Sequence, residues 1–138
     1  DVDSKPALFR WLAERTATHL SELDAETVYR SLEARESKAS TGIGSGIAVP
    51  HTILEHLQNT FLLLAVVPNG VDYKAIDDEA VTLCFLLLGG PNQTHEHLHL
   101  LARIARVCTQ ANFRAGVLQS RAPSAAYGFI REVASRLD

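Results

Sequence analysis

Two short apolar runs set the limits on how this chain can fold. TFLLLAVV (residues 60–67) and VTLCFLLL (81–88) are nearly free of polar side chains and rich in β-forming residues. A strand with one wet face alternates, so near-continuous runs of this length read as strands covered on both faces. Both fall far short of the roughly 20 apolar residues a helix needs to cross a bilayer, so no membrane insertion is expected. The segment between them, PNGVDYKAIDDEA (68–80), carries turn signals and no core periodicity.

Helical patterns flank this pair. Ser4 can cap a first helix, with Pro6 tolerated in its first turn and Leu8, Leu12 and Ala13 on its apolar face before it fades ahead of Leu20. Asp24 caps a second helix carrying Val28 and Leu32. Ile47-Ala48-Val49 reads as a short strand limited by Pro50, which has no donor for a ladder. From Thr94 a helical stripe runs through Leu98, Leu101, Ala105 and Cys108, and two more helical stretches follow at about 110–119 and 124–137. Helices, then strands, then helices predict an α/β fold: a three-layer α/β/α sandwich with a mixed central sheet. At 138 residues the chain is expected to form one domain, residues 1–138. It contains no Met and opens on Asp1, as a piece of something longer would.

A formal net charge of −3, with Lys and Arg scattered, leaves no concentrated basic face, so a nucleic-acid partner is not expected. Cys84 and Cys108 both lie in apolar runs. They read as buried free thiols of a cytoplasmic protein rather than a disulfide.

Three stretches could carry chemistry. STGIGSGIAVPHT (40–52) places glycines at 42, 44 and 46 before a Pro-His pair. It matches neither GxGxxG nor GxxxxGK[ST], no lysine follows, and no helix pattern begins directly after it, so it is not read as a nucleotide site. It is either a plain flexible turn or a loop whose N–H groups, with the Thr41 and Ser45 hydroxyls close by, face an anion. His51 follows at a strand end, where a rigid sheet can hold a reactive side chain. HEHLH (95–99) literally satisfies H-E-x-x-H, with Glu96 between His95 and His99. Zinc chemistry needs a third ligand, yet His99 is the last histidine, and no metal is expected. His97 would lie at the edge of the helix stripe, about 100° from Leu98. Arg35-Glu36, at the end of the second helix, is either a solvated pair or a source of positive charge for a phosphate.

EARESKASTGIGSGIAVPH (33–51) resembles the active-site segment of enzyme IIA of the fructose/mannitol class of the bacterial sugar phosphotransferase system, a domain shared by the nitrogen-regulatory proteins. Glu36, Ile43-Gly44 and Ile47-Ala48-Val49-Pro50-His51 fit its pattern; Thr52 departs from it, where Gly, Ala or Cys is usual. VDYKAIDDEAVTLCFLLLGGP (71–91) and EHLHLLARIARV (96–107) are similar to further segments of the family. The resemblance implies that His51 accepts a phosphoryl group from the phosphocarrier HPr or a related carrier, with His97 and Arg35 as partners. It places Thr41, Gly44, Ser45, Gly46 and Thr52 around the phosphoryl group. It further implies no cofactor, and a downstream partner that is enzyme IIB or a regulated transporter or kinase. A module of the same fold acting only by contact is the alternative. The family domain starts with a strand, of which Asp1-Val2-Asp3 would hold at most the end.

Overall fold

The structure, a computed structural model, describes residues 2–137. In chain order it contains α1 (Lys5–His19), α2 (Ala25–Glu36), β1 (Gly42–Gly44), β2 (Ile47–Ala48), β3 (His51–Ile53), β4 (Phe61–Val71), β5 (Val81–Gly89), α3 (Thr94–Cys108), α4 (Phe113–Gln119) and α5 (Pro123–Arg136). The chain falls into two compact units that divide within α3, between His97 and Leu98. Among the described residues no helix is long and apolar enough to cross a membrane. Asp1, part of the expected strand remnant, lies outside the described residues; Ser4 makes an isolated parallel bridge with Asp72.

In the first unit both expected caps form. Ser4 Oγ accepts from the Ala7 N–H at 3.2 Å, and Asp24 Oδ2 accepts from the Thr27 N–H at 3.3 Å, each satisfying a donor that a helix start leaves open. The helices bury Leu8, Phe9, Leu12, Ala13, Val28 and Leu32 in one apolar cluster with Ala48, Ala65, Cys84, Leu86 and Leu88 of the sheet.

β5 is the sheet's axis. β4 runs antiparallel along one side of it, and β2 and β3 run parallel to it along the other. Ile47 pairs with Leu83 and His51 with Leu87, so β2 and β3 keep one register on either side of Pro50. β1 extends the sheet beyond β2, antiparallel. The sheet is mixed, as expected. Cys84, Leu86 and Leu88 join the helix cluster, while the alternate residues Leu83, Phe85 and Leu87 are buried on the opposite face.

Two expectations need correction. The run in β4 is not covered on both faces: β4 lies at the sheet's margin, and Leu62 and Val66 are exposed. In α3 the stripe Leu98–Ala105 points outward, with Leu98 61% exposed. The buried side instead carries His97, Ile104 and Val107. Both stripes share the two-turn spacing and differ by a rotation of one residue, about 100°.

In the second unit α4 and α5 are joined by Phe113 and Phe129, whose rings stack with centroids 6.0 Å apart. Both cysteines are free. Cys84 is fully buried, whereas Cys108 is only half-buried, its thiol pushed up to about 12 by desolvation.

Candidate active site

His51, expected at a strand end, opens a strand of its own, β3. Pro50 cannot donate to the ladder, yet its carbonyl accepts from the Leu87 N–H at 3.0 Å, so the chain stays clamped to β5 across the proline. The His51 Nδ1 atom lies 2.7 Å from the Val49 carbonyl oxygen. A carbonyl only accepts, so Nδ1 carries the proton and the lone pair belongs to Nε2. Burial lowers the pKa of His51 below its ordinary value. The Val49 bond opposes that shift, the Arg35 charge adds to it, and the Glu36 charge opposes it. The ring is therefore neutral near pH 7, the nucleophilic form.

His97, on the first turns of α3, brings its ring to 5.7 Å from that of His51, with the two planes at 53°. It is only 4% exposed. Its Nδ1 is buried without a hydrogen-bond partner among the described residues, an arrangement a buried polar atom rarely adopts without a reason. Desolvation, then the nearby His51, lowers its pKa. Gly89, at the end of β5, makes room for this ring: a Cβ there would lie 2.9 Å from His97 Nδ1.

Arg35 ends α2. Its Nη1 donates to the Ala39 carbonyl at 3.0 Å, and its charge reaches His51. Thr52, next to His51, contacts Ser31 of α2 hydroxyl to hydroxyl at 2.6 Å, tying β3 to the helix that carries Arg35. His51, His97, Arg35 and Thr52 thus belong to one neighbourhood.

The glycine stretch is a β-hairpin rather than an open loop. Gly42 pairs with Ala48 and Gly44 with Ile47, and Gly44, Ser45 and Gly46 all take positive φ (89°, 57° and 76°) to turn the corner. Two of the groups expected near an anion have partners within the chain. The Ser45 N–H binds Asp77 Oδ2 at 2.8 Å, and the Thr41 hydroxyl is buried between Glu36 and Tyr73. Asp77 thus places a carboxylate beside the hairpin tip, where Gly44, Ser45 and Gly46 make the turn.

HEHLH divides by exposure. His95 and His99 face solvent while His97 is buried. Glu96 accepts from the Thr60 hydroxyl at 2.9 Å, and among the described residues no three potential ligands converge on a metal position.

Sequence reasoning missed the Val49 carbonyl, Ser31 and Gly89. The first is backbone, the second an ordinary helix serine, and Gly89 reads as strand-end punctuation before Gly90-Pro91.

In a mixed α/β fold the site gathers a tautomer-fixed histidine, a second buried histidine and an arginine, groups able to bind an anion. Residues 1–133 match the family model described as the phosphoenolpyruvate-dependent sugar phosphotransferase system, EIIA 2, and the chain belongs to that family. Membership gives it a phosphocarrier or regulatory role in that system. The nitrogen regulatory protein of Pseudomonas aeruginosa is 35% identical over 130 residues, which cover 94% of this chain and 84% of that protein. Nitrogen regulatory protein IIA-Ntr from Neisseria meningitidis superposes with a TM-score of 0.89 at 28% identity, over 94% of this chain and 88% of that one. IIA mannitol from Escherichia coli shares the fold, with a TM-score of 0.78 at 17% identity, over 94% and 91% of the two chains.

Proposed function

We propose that residues 1–138 act as one cytoplasmic phosphohistidine carrier, with Nε2 of His51 as the acceptor. The hydrogen bond from His51 Nδ1 to the Val49 carbonyl carries this reading, because it holds the nucleophilic lone pair on the other nitrogen. The donor is a phosphohistidine of HPr or of its nitrogen-branch relative. The Nε2 lone pair forms the new P–N bond as the bond to the donor ring breaks, and the donor nitrogen leaves with that electron pair. The proton stays on Nδ1, donated to the Val49 carbonyl, throughout. His97 and Arg35 supply hydrogen bonds and positive charge to the phosphoryl oxygens, the kind of fixed electrostatic support that usually dominates such transfers. The group arrives activated on an imidazole, so the step itself calls for neither nucleotide nor metal.

Onward transfer goes to an enzyme IIB or signals to a regulated transporter or kinase. Relatives matched over 94% of the chain bear nitrogen-regulatory names, which favours the signalling branch over sugar uptake. Incubating the chain with phosphoenolpyruvate, enzyme I and either carrier tests the reading. Intact mass should rise by one phosphate, roughly 80 Da, through a bond labile to acid and stable to base. No gain with either donor would leave the contact-only module as the better account.

A further inference from the structure

Arg35 and Glu36 are neighbours in sequence with opposite charges and opposite fates. Arg35 stays at the surface, held by the Ala39 carbonyl at 3.0 Å. The Glu36 side chain is turned inward and is 8% exposed. There it accepts from Lys5 Nζ at 2.8 Å, from the Thr41 N–H at 3.0 Å and from the Thr41 hydroxyl at 2.6 Å. The Tyr73 hydroxyl lies 2.6 Å from that of Thr41 and donates to Glu36 at 3.4 Å, while Lys5 Nζ lies 4.3 Å from the centre of the Tyr73 ring. Burial alone would raise the carboxyl's pKa. The bonds from Lys5 and Thr41 more than offset it, so Glu36 is held ionised below its ordinary range. A buried carboxylate with this many donors has a fixed position, and losing a partner of a buried ion pair is costly.

The geometry matters because of what lies between its anchors. Glu36 and Thr41 bracket residues 37–40, and the two hydrogen bonds from Thr41 to Glu36 fold that connection back on the end of α2. Ala39 lies within that connection, at the surface. We infer that Glu36 is a positioning residue: by clasping Thr41 it sets the α2–β1 connection so that the Ala39 carbonyl holds the Arg35 guanidinium toward His51. This rests on the proposed role of Arg35 at the phosphoryl site. Glu36 itself touches neither reacting atom.

A double-mutant cycle separates positioning from bulk stability. The His51 ring is titrated by NMR, without any phosphoryl donor, in the unmodified protein, Arg35→Ala, Glu36→Gln and the double variant. Removing Arg35 takes a positive neighbour from His51, so its titration midpoint should rise in the native background. With Gln at 36 the same removal should move the midpoint less than half as far. The direct effect of the Glu36 charge cancels in the comparison. An equal shift in both backgrounds would overturn the inference, even if Glu36→Gln lowers thermal stability. Should Glu36→Gln fail to fold, Thr41→Val, which removes the hydroxyl and no charge, takes its place in the cycle. Failure of the carrier reading shows separately, as absence of phosphate gain in the unmodified protein.

Discussion

The Nδ1 atom of His51 and the carbonyl of Val49, two residues apart, are joined at 2.7 Å within a chain segment that proline keeps rigid. The ring so held is half-buried, and burial lowers its pKa below the ordinary value near 6.5. His97 is lowered likewise, by desolvation and then by His51. The unfolded chain therefore binds more protons than the folded one as pH falls through this range, and the folded state loses stability. The histidine contribution is fully present above the unfolded value and lost on acidification through the folded values. Thermal midpoints should fall between pH 7 and pH 5, before ordinary carboxylates titrate. The double variant His51→Ala/His97→Ala should flatten that slope, and an unchanged slope would place its origin elsewhere.

Gly89 offers a way to move His97 without replacing it. Its φ is not in the left-handed region, so alanine suits the backbone, and the conflict is with the His97 ring at 2.9 Å. Gly89→Ala should fold and shift the His97 ring resonances. It should slow phosphoryl transfer toward the loss expected for His97→Ala, about 10²–10³-fold for one well-placed donor. In a His97→Ala background the same change should cost no further rate. A full additional loss there would mean that Gly89 acts through something other than His97.

Caps and central strand were legible in the sequence because they depend on neighbours in the chain. Ser4, Asp24 and the run in β5 each declare themselves within a few residues. The phase of α3 was not legible: a stripe through Leu98 is more apolar than one through His97, and only the fold gives a buried histidine its reason. β3 escaped because His-Thr-Ile is too short to show a period of two, and β5 recruits it by register. At the site, His51 stood out through its Pro-His context, and His97 and Arg35 through resemblance. The clasp from Glu36 to Thr41, Lys5 and Tyr73 joins residues as far apart as 37 positions, which no local pattern reveals.

Thr52 and Ser31 form a tie between β3 and α2, 2.6 Å long and partly buried. Thr52→Ala should lower stability by about 0.5–1.5 kcal/mol, the usual net worth of such a bond. Thr52→Val keeps the volume and leaves the Ser31 hydroxyl without its partner, so it should cost as much or more. Adding Ser31→Ala to Thr52→Val should recover part of the loss. Urea midpoints of these proteins and of Ser31→Ala alone decide it, and strictly additive costs would show that the two hydroxyls do not couple.

The central claim is that Nε2 of His51 carries the phosphoryl group. Nitrogen-15 NMR of histidine-labelled protein, phosphorylated through the donor chain, distinguishes the two ring nitrogens and the six histidines directly. The account predicts phosphorus on Nε2 of His51 alone, with Nδ1 still protonated against Val49, and no phosphate on His51→Ala. Phosphorus on Nδ1, or on His97, His95 or His99 in the native protein, would contradict it.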